Sequence, residues 1–285
     1  MKEKVVLNNL YSDAWEKLKK DKVVMISLAV LIVIILLAIF APVIAPYPPE
    51  QQNMKNMLST FSKEHLLGTD EFGRDILTRI LYGARASLLV AVLGEVISVI
   101  IGVTLGVVAG YFGGVVDAII SRIIEIFSSF PQILFAIAIM FALGPGIENV
   151  FITIGITGWT GIARIIRADV MKLKHNQYIE MCKISGGSTL RILVRHVIPN
   201  CLSTITVVAT MNIPGNIMYE ASLSFLGLGV QPPTASWGVM INTSRNFLRT
   251  NPTYSIYPGI AIIITVLAFN ILGDGLRDAL DPKLN

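Results

Sequence analysis

The sequence predicts an all-α integral membrane protein with six transmembrane helices, and three observations carry that expectation. Of 285 residues, 53% are hydrophobic and only 15% are charged, against about 25% charged in soluble domains. Mean hydropathy is +0.67. Six apolar segments approach the roughly 20 helical residues that cross about 30 Å of hydrocarbon. Soluble enzymes, secreted disulfide scaffolds and disordered regulators are disfavoured on these grounds.

The segments are Val23 to Ala45, Ala86 to Gly110, Ile126 to Leu143, Asn149 to Ile166, one within Val197 to Tyr219 and one within Ser255 to Gly273. The first is an unbroken run between Lys22 and the turn sequence PYPPE. It exceeds the core of a cleaved signal peptide and is expected to remain as an anchor. With the N-terminus inside, sixteen of the 23 lysines and arginines fall on the inner side against seven outside. The positive-inside rule therefore predicts both termini in the cytoplasm. The expected organisation is an N-terminal tail over 1–22, the first span over 23–45 and an outer loop over 46–83. A core follows over 84–280, with an inner loop at 167–199 and an outer loop at 220–254, and a tail over 281–285.

The +4 net charge follows from that topology, and no basic stripe on a soluble module suggests nucleic acid. Two cysteines, Cys182 and Cys201, make neither a disulfide framework nor a four-ligand zinc site. His65, His175 and His196 are far apart in sequence, so no metal is expected.

The second span carries Gly94, Ser98, Gly102, Gly106 and Gly110, a narrow stripe that lets another helix approach closely. Packing within the bundle and contact with another subunit both fit. Glu95 shares that span, and an acid at such depth must face the interior, a cavity or a partner. It is either a contact in a translocation path or a hydrogen-bonded structural acid. The first outer loop is expected to end in an amphipathic helix built on Ile76, Leu77, Ile80, Leu81 and Ala84. With Arg74, Arg79 and Arg85 interspersed, that helix is expected to lie in the interface as an elbow into the second span. Pro131, Pro199, Pro214 and Pro258 interrupt or end apolar helices. Trp237, Tyr254 and Tyr257 sit in the last outer loop, either as an interfacial aromatic belt or as a partly re-entrant wall. Glu220, at its start, is a candidate counter-charge for a peptide amino terminus or a locally paired acid.

The inner loop RADVMKLKHNQYIEMCKISGGSTLRILVRHVIP is amphipathic. Tyr178 to Ser185 is expected to form a short helix stopped by Gly186-Gly187. Ser188 or Thr189 then caps a second helix that ends at Pro199. Two short helices projecting inward make a docking knob. The spacing of Glu180, Gly186 and Pro199 resembles the EAA loop of ABC importer permeases, with Met181 and Cys182 in place of the two alanines. HLLGTDEFGRDILTRILYGARASL, YFGGVVDAIISRIIEIFSSFP, EASLSFLGLGVQPPTASWG and LGDGLRDALDPKLN extend that resemblance over most of the chain. They are similar to the C-type subunits of the dipeptide/oligopeptide/nickel permease branch.

The resemblance implies a binding-protein-dependent (MetI-like) permease fold in a prokaryotic cell membrane. It implies a second homologous permease subunit completing the path, two cytoplasmic ATPase subunits, and an extracytoplasmic solute-binding protein. Tyr178, Glu180, Met181, Cys182, Gly186 and Gly187 become the ATPase-docking residues. This chain then binds no cofactor, ATP and Mg belonging to the partner subunits, in keeping with the absence of GxxxxGK[ST] from the sequence. Peptides are the expected substrate, and a nickel chelate is the alternative. A self-sufficient secondary transporter would show an internal repeat, and a membrane enzyme would cluster reactive groups; neither pattern is visible.

Overall fold

The computed structural model describes residues 12–280, all helix and loop. Residues 1–11 of the predicted N-terminal tail and the predicted tail 281–285 lie outside the described residues, and 12–20 of the first tail are helical. After the helical stretch over 12–20, nine helices of eight residues or more carry the architecture among the described residues. They are α1 (Lys22–Ile39), α2 (Ile76–Phe112), α3 (Gly114–Ser129), α4 (Gln132–Leu143), α5 (Ile147–Leu173), α6 (Gln177–Ile184), α7 (Ile198–Phe225), α8 (Trp237–Ser244) and α9 (Thr253–Leu280). Five helical stretches are long and apolar enough to cross a membrane, and α3 with α4 makes a sixth if that bent pair is one span.

α1 starts where the Asp21 side chain accepts from the amides of Val23 and Val24, satisfying orphan donors of the first turn. Its apolar residues surround the axis, as expected of a helix that meets both protein and lipid. The run does not continue to Ala45 as one helix. It breaks at Phe40, and Pro42 opens a separate turn over Ala41–Ile44.

α2 differs most from expectation. The amphipathic stretch from Ile76 is no separate interfacial helix but the first turns of one 37-residue helix, about 55 Å long at 1.5 Å per residue. The reason is electrostatic. Arg74 Nε binds Asp70 Oδ2 at 2.6 Å and Arg79 Nε lies 3.4 Å from the same oxygen. With its charge matched inside the protein, Arg79 is 1% exposed and needs no membrane surface. Asp75 caps the helix by accepting from the Thr78 amide at 2.8 Å, and its other oxygen meets His65 Nδ1 at 3.0 Å. The Tyr254 hydroxyl donates to Glu71 at 2.7 Å, tying this outer cap to α9.

The apolar run Ile126–Leu143 also departs from a single span. α3 and α4 meet at 90° because Pro131 has no amide proton and forces Phe130 into extended backbone (φ −96°, ψ 140°). Pro214 and Pro258, by contrast, sit inside α7 and α9.

Pro199 does not end a helix either. A π turn over Leu193–Val197 precedes it, with the Ile198 amide bonded to the Leu193 carbonyl. Widening the ladder here gives the proline ring room in the first turn of α7. The predicted pair of short inner helices is therefore one free helix, α6, followed by a turn over Thr189–Ile192 that runs into α7. Ser188 occupies the cap position, but its side chain makes no capping bond.

The main core joins α1 (Leu31, Ala38), α2 (Ala84, Leu88, Ala91), α7 (Ile217), α8 (Trp237) and α9 (Ile262, Phe269). Trp237 and Tyr254, candidates for an interfacial belt, are buried instead. Trp237 donates its indole N–H to the Ile80 carbonyl at 3.1 Å.

Candidate functional site

The glycine stripe of α2 lies against α5. A methyl group placed on Gly94 would come 2.7 Å from Ile154 Cγ2, and on Gly102 2.8 Å from the Trp159 carbonyl oxygen. On Gly106 it would meet the Ala163 carbonyl oxygen at 2.7 Å, and on Gly110 that of Arg167 at 2.7 Å. Ser98, the one non-glycine position, uses its hydroxyl to donate to the Gly155 carbonyl at 3.2 Å. The absence of side chains is what brings these two backbones together. Both helices contribute to the features that follow.

The first feature is the knob formed by α6 and the turn that follows it. α6 ends in a Schellman motif: Gly186 has φ +77°, its amide bonds the Lys183 carbonyl, and the Gly187 amide bonds the Cys182 carbonyl at 3.0 Å. Glycine suits the left-handed position. A Cβ on Gly187 would press on the Cys182 carbonyl oxygen at 2.8 Å. Gly187 and Cys182 are thus half-buried within the knob while Gly186 is exposed, and Cys182 Sγ lies 3.9 Å from His196 Nε2. Tyr178, Glu180 and Met181 are exposed. The sequence reading missed their apolar companions Ile184, Leu190 and Val194. Ile184 is 81% exposed and Met181 60%, an arrangement that costs solvation unless something covers it. On the opposite side, Ile179 is fully buried and packs with Ile192, Leu193 and Val197. That cluster continues into Ile162, Ile166 and Val170 of α5 and Val107 of α2.

The second feature is a cavity beside the middle of α2. Glu95 lies near the middle of α2. Its Oε1 accepts from the Asn212 amide at 3.1 Å and its Oε2 from the Asn216 amide at 2.8 Å. The three residues border a cavity of about 300 Å³, whose wall also includes Gln132, Gly158, Gly161, Gly215 and Tyr219. Asn212, Met211, Val208 and Ile165 are shared with a groove of about 730 Å³ that runs on past Asp169 and Thr204 to Lys172 and Arg277. Asp169 accepts from the Thr204 hydroxyl at 2.7 Å. Asn212 and Asn216 escaped the sequence reading, although their spacing of four on an apolar helix places both amides on one face.

Glu220 is not part of that cavity. It is fully buried, with Oε1 accepting from Ser224 at 2.7 Å and Ser236 at 2.9 Å, and Oε2 from Ser87 at 3.0 Å. Ser87 Oγ in turn accepts from the Trp237 amide. The acid pins α8 onto α2 and α7, and its complete burial away from the cavity keeps it out of reach of a passing amino group. Arg167 of α5 pairs with Asp117 of α3, its Nη2 lying 2.7 Å from Oδ2. Among the described residues no group of three or more His, Cys, Asp or Glu is placed to hold a metal ion.

Comparison with known proteins accords with this architecture. Residues 102–285 match the family described as binding-protein-dependent transport system inner membrane component. Residues 9–61 match the N-terminal TM domain of oligopeptide transport permease C. The dipeptide transport system permease protein DppC of Bacillus subtilis (strain 168) is 42% identical over 273 residues, covering 95% of this chain and 85% of that protein. The DppC protein of Alkalihalophilus pseudofirmus is 43% identical over 274 residues (96% and 90%). The glutathione transport system permease protein GsiD of Escherichia coli O1:K1 / APEC is 42% identical over 275 residues (96% and 91%). The fold is similar to a chain of the MetNI methionine ABC transporter in an inward facing conformation, with a TM-score of 0.59 at 17% identity, covering 72% of this chain and 97% of that one. Such chains are multi-pass inner-membrane proteins of prokaryotes and are permease subunits, not enzymes. With its bent helix pair, its small-residue seam and its knob at α6, this chain belongs to the binding-protein-dependent transport system inner membrane components, in the C-type branch of the ABC dipeptide/oligopeptide permeases.

Proposed function

We propose that this chain forms half of the translocation path of an ATP-driven importer of di- or oligopeptides. A second homologous permease supplies the other half, two cytoplasmic ATPases bind and hydrolyse ATP with Mg, and an extracytoplasmic binding protein delivers the solute. Both termini and the knob lie on the cytoplasmic side in this reading.

One observation carries the proposal. The knob presents Tyr178, Met181, Ile184, Leu190 and Val194 to solvent, while its reverse side is packed on α5 through Ile179, Ile166 and Val170. α5 also walls the Glu95 cavity through Gly158, Gly161 and Ile165. A displacement of the knob by a closing ATPase is therefore delivered to the cavity wall through one helix. Packed interiors transmit such shifts because they yield little under load.

Reconstitution with the partner subunits and ATP tests this reading. Short peptides are expected to accumulate in a nucleotide-dependent way. Uptake of chelated nickel in place of peptides would instead assign the chain to metal import. Glu180→Arg and Gly186→Pro are expected to abolish transport while leaving membrane insertion intact. Unimpaired uptake by both variants with normal ATPase association would refute the docking assignment.

A further inference from the structure

The wall of the Glu95 cavity has a single charged residue, and that residue is an acid. Gln132, Asn212, Asn216 and Tyr219 supply neutral polar groups, and no lysine, arginine or histidine borders the space. Glu95 receives one side-chain amide on each oxygen. A carboxylate is an acceptor on both oxygens, each with more than one lone-pair site, so capacity remains after these two bonds. Turning their N–H groups toward Glu95 leaves the carbonyl oxygens of Asn212 and Asn216 as further acceptors beside it. The resulting cluster is rich in acceptors and poor in donors. Its natural complement is a small group with several donors and a positive charge, such as a primary ammonium.

The wall is also built to admit a chain rather than a lone ion. Gly161 and Gly215 both border the cavity, and a Cβ added at either would meet nothing within 4 Å. This contrasts with the stripe glycines of α2, where the same addition collides with α5. The two sets of glycines therefore do different things: one seals helices together and the other keeps a space open. The continuous groove leading on from Asn212 toward Lys172 and Arg277 changes sign along its length. An amino end facing Glu95 and a carboxylate end trailing toward or leading into that basic mouth would both be matched electrostatically.

We infer that Glu95, held by Asn212 and Asn216, is the site in the membrane that takes the ammonium group of the passing substrate. This makes it a specificity-determining residue for solutes with a free amino terminus. The inference rests on the proposed peptide import. The ammonium displaces neither asparagine; it adds to the open acceptor positions, and the cavity trades hydration of the charge for a fixed carboxylate. Without Glu95's charge, the ammonium would enter a poorly hydrated space with only neutral partners.

The test uses the full complex in proteoliposomes, with saturating peptide-loaded binding protein and a dipeptide bearing a free amino terminus. Glu95→Gln keeps the shape and loses the charge. It is expected to lower the maximal uptake rate about tenfold, with half-saturation for the loaded binding protein and the melting temperature of the complex unchanged. Glu95→Asp, which keeps the charge, is expected to retain most of the rate. A second pair guards against misfolding of the first: Asn212→Lys places an ammonium beside Glu95 from within, whereas Asn212→Met has similar length without charge. The methionine variant, which removes one amide from the site, is expected to lose part of the uptake, and the lysine variant to lose at least tenfold more than the methionine variant. Equal rates for Glu95→Gln and wild type, or equal losses for the Lys and Met variants, would overturn the ammonium assignment. Failure of the wild-type complex to accumulate any short peptide would instead overturn the import reading.

Discussion

Glu95 Oε2 and the Asn216 side-chain amide meet at 2.8 Å although 121 residues separate them. The bond joins the middle of α2 to α7, at the wall of a cavity that also touches α5. Three helices thus meet at one acid. Motion of α5 relative to α7 must alter the space beside that acid.

The seam between α2 and α5 gives a sharp steric prediction. Gly106→Val puts a branched side chain where a Cβ alone would sit 2.7 Å from the Ala163 carbonyl oxygen. Overpacking of this kind costs about 1–3 kcal/mol, so the melting temperature in detergent is expected to fall by several degrees. Gly161→Ala, with nothing within 4 Å, is expected to melt as the wild type does.

Glu220 separates a missing acceptor from a missing charge. Glu220→Leu strands the hydroxyls of Ser87, Ser224 and Ser236, and an unsatisfied buried donor costs about 1–3 kcal/mol. Glu220→Gln keeps one carbonyl acceptor and is expected to lose less. Protease sensitivity of the segment around α8 reads the difference, since Ser236 is the cap that holds the start of that helix.

The Asp117–Arg167 pair predicts a charge-swap rescue. Both side chains are partly shielded, so Arg167→Glu sets two acids face to face and is expected to lower the yield of folded protein. Combining Asp117→Arg with Arg167→Glu restores opposite charges and is expected to recover much of that yield, measured by size-exclusion chromatography.

The exposed apolar face of α6 predicts a loss confined to docking. Ile184→Asp and Met181→Asp are expected to weaken co-purification of the ATPase at least tenfold without altering the melting temperature of the permease. Ile179→Asp is expected to do the opposite, because it buries a charge among Ile192, Leu193 and Val170 and destabilises the chain itself.

The sequence by itself determined the class, the approximate places of the apolar segments, the stop of α6 at Gly186 and the small-residue stripe. Each is written in a local pattern: composition, a run of apolar residues, a glycine after a helix, or one residue in four. It also placed Glu95 at a depth where an acid needs a reason. Only the tertiary structure decided what those residues meet. The stretch from Ile76 has an amphipathic period, yet it continues into the span because Asp70 shields Arg79 from a distance no local pattern encodes. Pro199 reads as a break, yet a π turn absorbs it. Glu220 and Glu95 look alike along the chain, but three serines close around one and a cavity opens beside the other. Asn212 and Asn216 at Glu95, and Ser87 at Glu220, lie more than a hundred positions from the acid they bind, so only the packed bundle settles which acid is structural and which stands beside open space.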